Sequence, residues 1–155
     1  MLKEIIEKGY YSFEQHFDDW QEAIRAGYRT LLEAGVVEDI YVQAVIDCVN
    51  KYGPYIVIVP DIAMPHSTEG AKGCHGTAIS FMKVEEPVDF DKQDPDKKAR
   101  LFFSLAAVDH EQHLHNIQEL MDALMNEELV NALLEAHTVE ELKQAAQTYL
   151  SLIHI

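Results

Sequence analysis

An α/β sandwich with helices over both faces of its sheet is the fold this sequence predicts, on three observations. Short apolar and β-branched runs alternate with amphipathic helical stripes through the first two thirds of the chain. The last third reads as helical throughout. At 155 residues, 48% of them apolar, the chain has the size of one domain and enough apolar surface for a full core. No internal repeat, low-complexity tract or Pro/Gly/Ser-rich linker divides it, so residues 1–155 are expected to form a single domain.

Taken in order, Tyr10 to Phe17 places Tyr11, Phe13 and Phe17 on one alternating face, a strand signal. Trp20, Ala23, Ile24, Gly27, Leu31 and Leu32 then recur at helical spacing. Asp18, with Gln21 three residues on, is the expected cap of that helix, and Gly35 its end. A second helix is expected from about Ile40 to Tyr52, turned inward by Val42, Val45, Ile46 and Val49 and stopped by Gly53-Pro54. Tyr55 to Val59 is continuously apolar and β-branched, as suits a strand covered on both faces. Ile62-Ala-Met64 is a second short apolar stretch. Gly76 to Val84 and Arg100 to Val108 are two further strands, and the polar residues Glu85 to Lys98 between them read as a surface loop. Beyond these, Ile117, Leu120, Met121 and Leu124 form one helical stripe and Leu129, Val130, Leu133 and Leu134 another. Thr138 and Glu141 make a capping box ahead of Leu142, Ala145, Ala146 and Tyr149.

Composition excludes several functions. The chain holds 27 acids against 12 Lys and Arg, a net charge of −15. A polyanion of this kind is repelled by phosphate backbones and anionic lipid, so no nucleic-acid partner is expected. The two cysteines, Cys48 and Cys74, form neither a disulfide framework nor a CxxC knuckle. The opening residues MLKEIIEKGYY are too polar for a signal peptide, and no apolar run approaches membrane length, so a cytoplasmic protein is expected.

Eight histidines are the main chemical clue. His66 stands at the end of a strand-like segment, directly behind Pro65 and ahead of Ser67 and Thr68. Pro65 has a fixed φ and biases Met64 towards extended backbone, so the ring is presented from a defined position. Hydroxyls and loop amides come immediately after it, as an anion site needs. The second cluster, Asp109-His-Glu-Gln-His113-Leu-His115, falls where a strand gives way to a helix. There His113 occupies the first turn, whose N–H groups and dipole attract anions. On the residues alone, a solvated loop histidine and a polar helix cap remain open. A zinc site from His66, His75 and His113 is conceivable, but HEQH is one residue short of HExxH and no spacing requires it. Phosphate-binding P-loops, GxGxxG and GxSxG motifs are missing from the sequence. Cys48 and Cys74 read as packing residues.

The stretch Gly53-Pro-Tyr-Ile-Val-Ile-Val-Pro-Asp-Ile-Ala-Met-Pro-His66-Ser resembles the enzyme IIA domains of the mannitol/fructose class of the bacterial phosphotransferase system. Within that class it is similar to the ascorbate-type enzyme IIA. The likeness extends over Trp20-Gln-Glu-Ala-Ile, Tyr41-Val-Gln-Ala-Val-Ile, Gly76-Thr-Ala-Ile-Ser-Phe, Glu86-Pro-Val-Asp-Phe90 and Leu105-Ala-Ala-Val-Asp109, with His113 at the family's second histidine. The resemblance implies a three-layer α/β/α sandwich with a mixed sheet. It implies that His66 accepts a phosphoryl group from phospho-HPr and passes it to a cysteine of enzyme IIB, for sugar translocated by the membrane enzyme IIC. His113 would stabilise the phosphoryl group, and Ser67 and Thr68 could add donors. Such chemistry calls for no metal or organic cofactor. Mannitol-type members carry an arginine on the helix before the strand. Here Asn50 stands at that position, next to Lys51, which fits the ascorbate type better. A regulatory phosphoprotein of the same fold and a histidine-based metal hydrolase are the competing readings, and oligomeric state is left open.

The charge is unevenly placed along the chain. Residues 1–61 carry 11 acids and 5 bases, and residues 111–155 carry 8 acids and 1 base. From Ile62 to Val84 the only acid is Glu69, and from Leu101 to His110 the only charge is Asp109. The two segments expected to meet at the phosphoryl group are therefore the least acidic, as an incoming dianion requires.

Overall fold

The computed structural model describes residues 1–153, with side chains as far as Tyr149. In chain order the elements are α1 (Leu2–Lys8), β1 (Tyr11–Glu14), α2 (Trp20–Glu33), α3 (Asp39–Tyr52), β2 (Val57–Val59), β3 (Asp61–Ala63), β4 (Ala78–Asp89), β5 (Lys98–Ala106), α4 (His110–Leu124), α5 (Glu127–Glu135) and α6 (Val139–Ile153). The five strands form one mixed sheet in the order β1-β4-β5-β3-β2. β1 runs parallel to β4 and β3 parallel to β5, while the β4–β5 and β2–β3 pairs are antiparallel.

Two separate cores make the three layers. On one face Ile24, Leu31, Val45 and Val49, from α2 and α3, pack against Met82, Val84 and Phe102 of the sheet. On the other, Leu2 and Ile5 of α1 and Leu120, Leu129 and Leu142 of α4 to α6 cover Phe81, Leu101 and Phe103. Alternate residues of β4 and β5 thus serve opposite cores, as strand geometry dictates. α2 comes close to the sheet because Gly27 has no side chain. A Cβ there would lie 2.9 Å from Ser104 Oγ, and the Gly27 carbonyl accepts from Ser80 Oγ at 2.7 Å.

Several expectations need correcting. The first strand is only Tyr11–Glu14. The cap of α2 is Asp19, which accepts from the Glu22 amide at 2.8 Å, while Asp18 turns to His16. The run Tyr55–Val59 yields just three strand residues, and these form a sheet edge with Val59 47% exposed. Pro60 and the left-handed Asp61, at φ 77°, end β2 and turn the chain at once into β3. That equally short segment, Asp61–Ala63, holds the interior position beside β5. The expected polar loop from Glu85 to Lys98 shrinks to residues 90–97, because β4 continues through a bulge to Asp89. Glu85 is held within the sheet by cations around it. Lys83 is wholly buried and pairs with Glu85, which also faces Arg100 at 3.7 Å and His137 at 2.6 Å. Helix α1 escaped the sequence reading, since seven residues are too few to show a period. Met121 is 42% exposed and does not join the core stripe of α4. Among the described residues no helix is long and apolar enough to cross a membrane.

Gly27→Val is expected to lower the free energy of unfolding by about 1–3 kcal/mol in urea titrations, through overpacking against Ser104. Valine's better helix propensity than glycine does not offset that crowding.

Candidate active site

His66 comes three residues after the end of β3, and α4 begins four residues after β5. Because β3 and β5 are parallel neighbours, their carboxyl ends lie at the same sheet edge, where α/β proteins place ligand sites. The two histidines singled out in the sequence therefore meet. The ring centres of His66 and His113 are 5.1 Å apart, tilted by 45°. They line one cleft of about 440 Å³, together with Tyr41, Ser67, Thr68, Gly70, Asp109 and His110.

The His66 ring is held in a single tautomer. Its Nδ1 lies 2.6 Å from the Met64 carbonyl, an acceptor only, so Nδ1 carries the proton and Nε2 keeps its lone pair. Tyr55 fixes the same residue twice. Its hydroxyl donates to the His66 carbonyl, and its ring stands edge-on to the imidazole, 5.2 Å away at 86°. Burial pushes His66 below the usual 6.5, although the Met64 bond works the other way. His113 is lowered too, first by burial and then by its histidine neighbours His66 and His110. Two neutral imidazoles at pH 7 are the result, the Nε2 lone pair of His66 being free.

Asp109 caps α4, accepting from the Gln112 amide at 2.8 Å, and His113 is in the first turn. The helix dipole thus points its positive end into the cleft. Ser67 and Thr68 also line the cleft, but their hydroxyls are engaged locally. Ser67 Oγ accepts from the Glu69 amide at 3.2 Å, and Thr68 Oγ1 donates to Cys48 Sγ at 3.6 Å. Cys48 is a packing residue under the loop, as its place in a helix suggested. Asn50 is exposed on α3, and Lys51 points to Glu69 at 2.9 Å, where the Tyr52 hydroxyl also donates. His75 binds Glu38 at 2.6 Å and is not part of the cleft wall, so the conceivable zinc trio is not assembled. Among the described residues no three His, Cys, Asp or Glu side chains are grouped to hold a metal ion.

Sequence reasoning left unnamed the group orienting His66 and passed over Tyr28, Tyr41, Tyr55 and His110. The tyrosines sit in helical or apolar stripes, where an aromatic reads as core. His110 had a signal, since it opens the same polar cluster as His113.

The family model for the phosphoenolpyruvate-dependent sugar phosphotransferase system, EIIA 2, matches residues 4–148. The chain belongs to that family. This EIIA 2 chain is therefore a phosphotransferase that carries a phosphoryl group within a sugar phosphotransferase system. The ascorbate-specific EIIA component of Escherichia coli K12 is 34% identical over 125 residues, 80% of each chain. Among solved structures, the mannitol-specific cryptic phosphotransferase enzyme IIA of Escherichia coli superposes with a TM-score of 0.81 at 30% identity, covering 93% of this chain and 96% of its own. The mannitol enzyme IIA of the same organism, in complex with phosphorylated enzyme IIB, has a TM-score of 0.72 at 28% identity, over 90% and 95% of the two chains. That mannitol enzyme IIA engages an enzyme IIB partner, and the three-layer fold implied by the sequence resemblance is the one observed.

Titration of the two rings by NMR should give midpoints below 6.5 for both His66 and His113. The unfolded chain takes up these protons first, so the folded state should lose stability as pH falls through 6.5.

Proposed function

We propose that residues 1–155 form one EIIA domain, a cytoplasmic carrier that takes a phosphoryl group from phospho-HPr onto His66. The group then passes to a cysteine of enzyme IIB, and through the membrane enzyme IIC to incoming L-ascorbate. The 34% identity to an ascorbate-specific relative supports the substrate. The observation that carries the role of His66 is its ring geometry: Nδ1 bound to the Met64 carbonyl, Nε2 unprotonated, beside His113 at the start of a helix.

The step is an in-line displacement. The Nε2 lone pair forms the new N–P bond, and the electron pair of the breaking bond leaves with the donor. No proton has to move on His66, because its proton already sits on Nδ1. Met64 also steadies the phosphorylated ring, whose positive charge strengthens the Nδ1–H bond to the carbonyl. His113 donates an N–H to a phosphoryl oxygen, the α4 dipole adds to it, and the Ser67 and Thr68 amides contribute loop donors. Lys51, tied to Glu69, neutralises the one acid of the His66 loop and stands in for no arginine at the phosphorus.

His66→Ala should take up no label from isotopically labelled phospho-HPr; continued uptake would sink the assignment. His113→Ala should still accept label, yet pass it to enzyme IIB at least about tenfold more slowly, as loss of one stabilising donor implies. Onward transfer measured with an ascorbate-type and a mannitol-type enzyme IIB should be faster with the first.

A further inference from the structure

We propose that Tyr41 is a positioning residue for phosphoryl transfer: its hydroxyl replaces a sheet hydrogen bond and so keeps the Ser67 amide free to hold the phosphoryl group. The proposal rests on the reading of His66 as the acceptor.

The β3–β5 register pairs Ile62 with Leu101 and Ala63 with Phe102. Carried forward, it sets His66 opposite Leu105. One of the two ladder bonds due at that step is present, from the Leu105 amide to the Pro65 carbonyl at 2.9 Å. Its companion should run from the Ser67 amide to the Leu105 carbonyl. It is not made. The Ser67 amide instead reaches the Tyr41 hydroxyl oxygen at 3.4 Å, and that hydroxyl donates onward to the Leu105 carbonyl at 3.2 Å. The Tyr28 hydroxyl donates to the same carbonyl at 2.8 Å and lies equally near the Pro65 carbonyl. The single Tyr28 proton is shared between those two carbonyls, so the Tyr41 hydroxyl is the donor committed to Leu105.

The Ser67 amide is thus left with one partner, beyond the ordinary N–H···O range of about 2.7–3.2 Å. Ser67 is 9% exposed, and a poorly paired donor at that depth is costly unless something accepts from it. Ser67, Tyr41 and His66 all face the same cleft. A phosphoryl oxygen on His66 is the acceptor this amide lacks. Tyr41 itself cannot drift: it is 3% exposed, and its ring is wedged edge-on against Tyr28, 5.8 Å away. Without its hydroxyl, a Leu105 lone pair becomes vacant, the ladder closes by one bond, and the amide is spent on the sheet.

The test is Tyr41→Phe, which keeps the ring and removes the oxygen. In quench-flow assays with phospho-HPr, kcat for labelling His66 should fall about 10- to 100-fold with KM unchanged. By NMR, a scalar coupling from Ser67 nitrogen to the Leu105 carbonyl carbon should appear in the variant, which a merely structural role for the tyrosine would not produce. Wild-type kcat, or a raised KM at unchanged kcat, overturns the proposal. Should the variant not fold, the wild-type protein decides. On phosphorylation the Ser67 amide proton should move downfield and couple to phosphorus, and an unmoved amide overturns it. Failure of the underlying reading shows separately, as wild-type protein that takes no label onto His66.

Discussion

The parallel pairing of β3 with β5 is the constraint on which the rest depends. β3 is only three residues long, yet it is interior to the sheet and runs in the same sense as its nine-residue neighbour. Both strands therefore deliver their C-terminal continuations to one edge: Met64-Pro-His66 from the first, the capped start of α4 from the second. Neither histidine is conspicuous by itself. Set 5.1 Å apart with one ring already oriented by a main-chain carbonyl, they fit the proposed pairing of a nucleophile with an adjacent donor. The register also decides where the ladder stops: Pro65 accepts from the Leu105 amide but has no N–H of its own, and the Tyr41 hydroxyl from α3 takes the Leu105 carbonyl that the next bond would use. The helical layer over that face is thus part of the site as well as part of the core.

The same placement sets the electrostatics. Burial keeps both imidazoles neutral, which suits a nucleophile and a donor but offers little fixed positive charge to a dianion. The compensation comes from dipoles: the first turn of α4 and the loop after His66. Their contribution is large where water is thin and needs no cation. Of the acids near the site, Asp109 lines the cleft but is engaged as the cap of α4, and Glu69, the acid nearest to His66 along its loop, is bound to Lys51 and Tyr52. A charge of −15 is then compatible with a site that receives a phosphoryl group.

Much of this was legible in the sequence. The helices declared themselves through stripes such as Ala23, Ile24 and Leu31, and His66 and His113 stood out by their settings at element ends. The illegible parts depended on partners distant in sequence. Nothing near Glu85 hints that Arg100 and His137 will join its neighbour Lys83 in holding it inside an extended strand. Tyr55 to Val59 is apolar enough for a central strand, but Pro60 and the backbone of Asp61 push it to the rim. Tyr41 has the spacing of a core residue and is one. Its second use, as a hydroxyl inserted between two strands, depends on a register that only the folded chain defines. Side chains doing two jobs are where pattern reading falls short.

The sheet's two rims carry a further consequence. The outer strands, β1 and β2, are four and three residues long, and β2 ends at a proline. Long, flat, uncovered edges invite pairing between molecules and are a route to aggregation. This protein offers almost none, and its surface is strongly anionic besides. A carrier must collide repeatedly with other proteins in a crowded solution, and rims this short let it do so without its own copies zipping together.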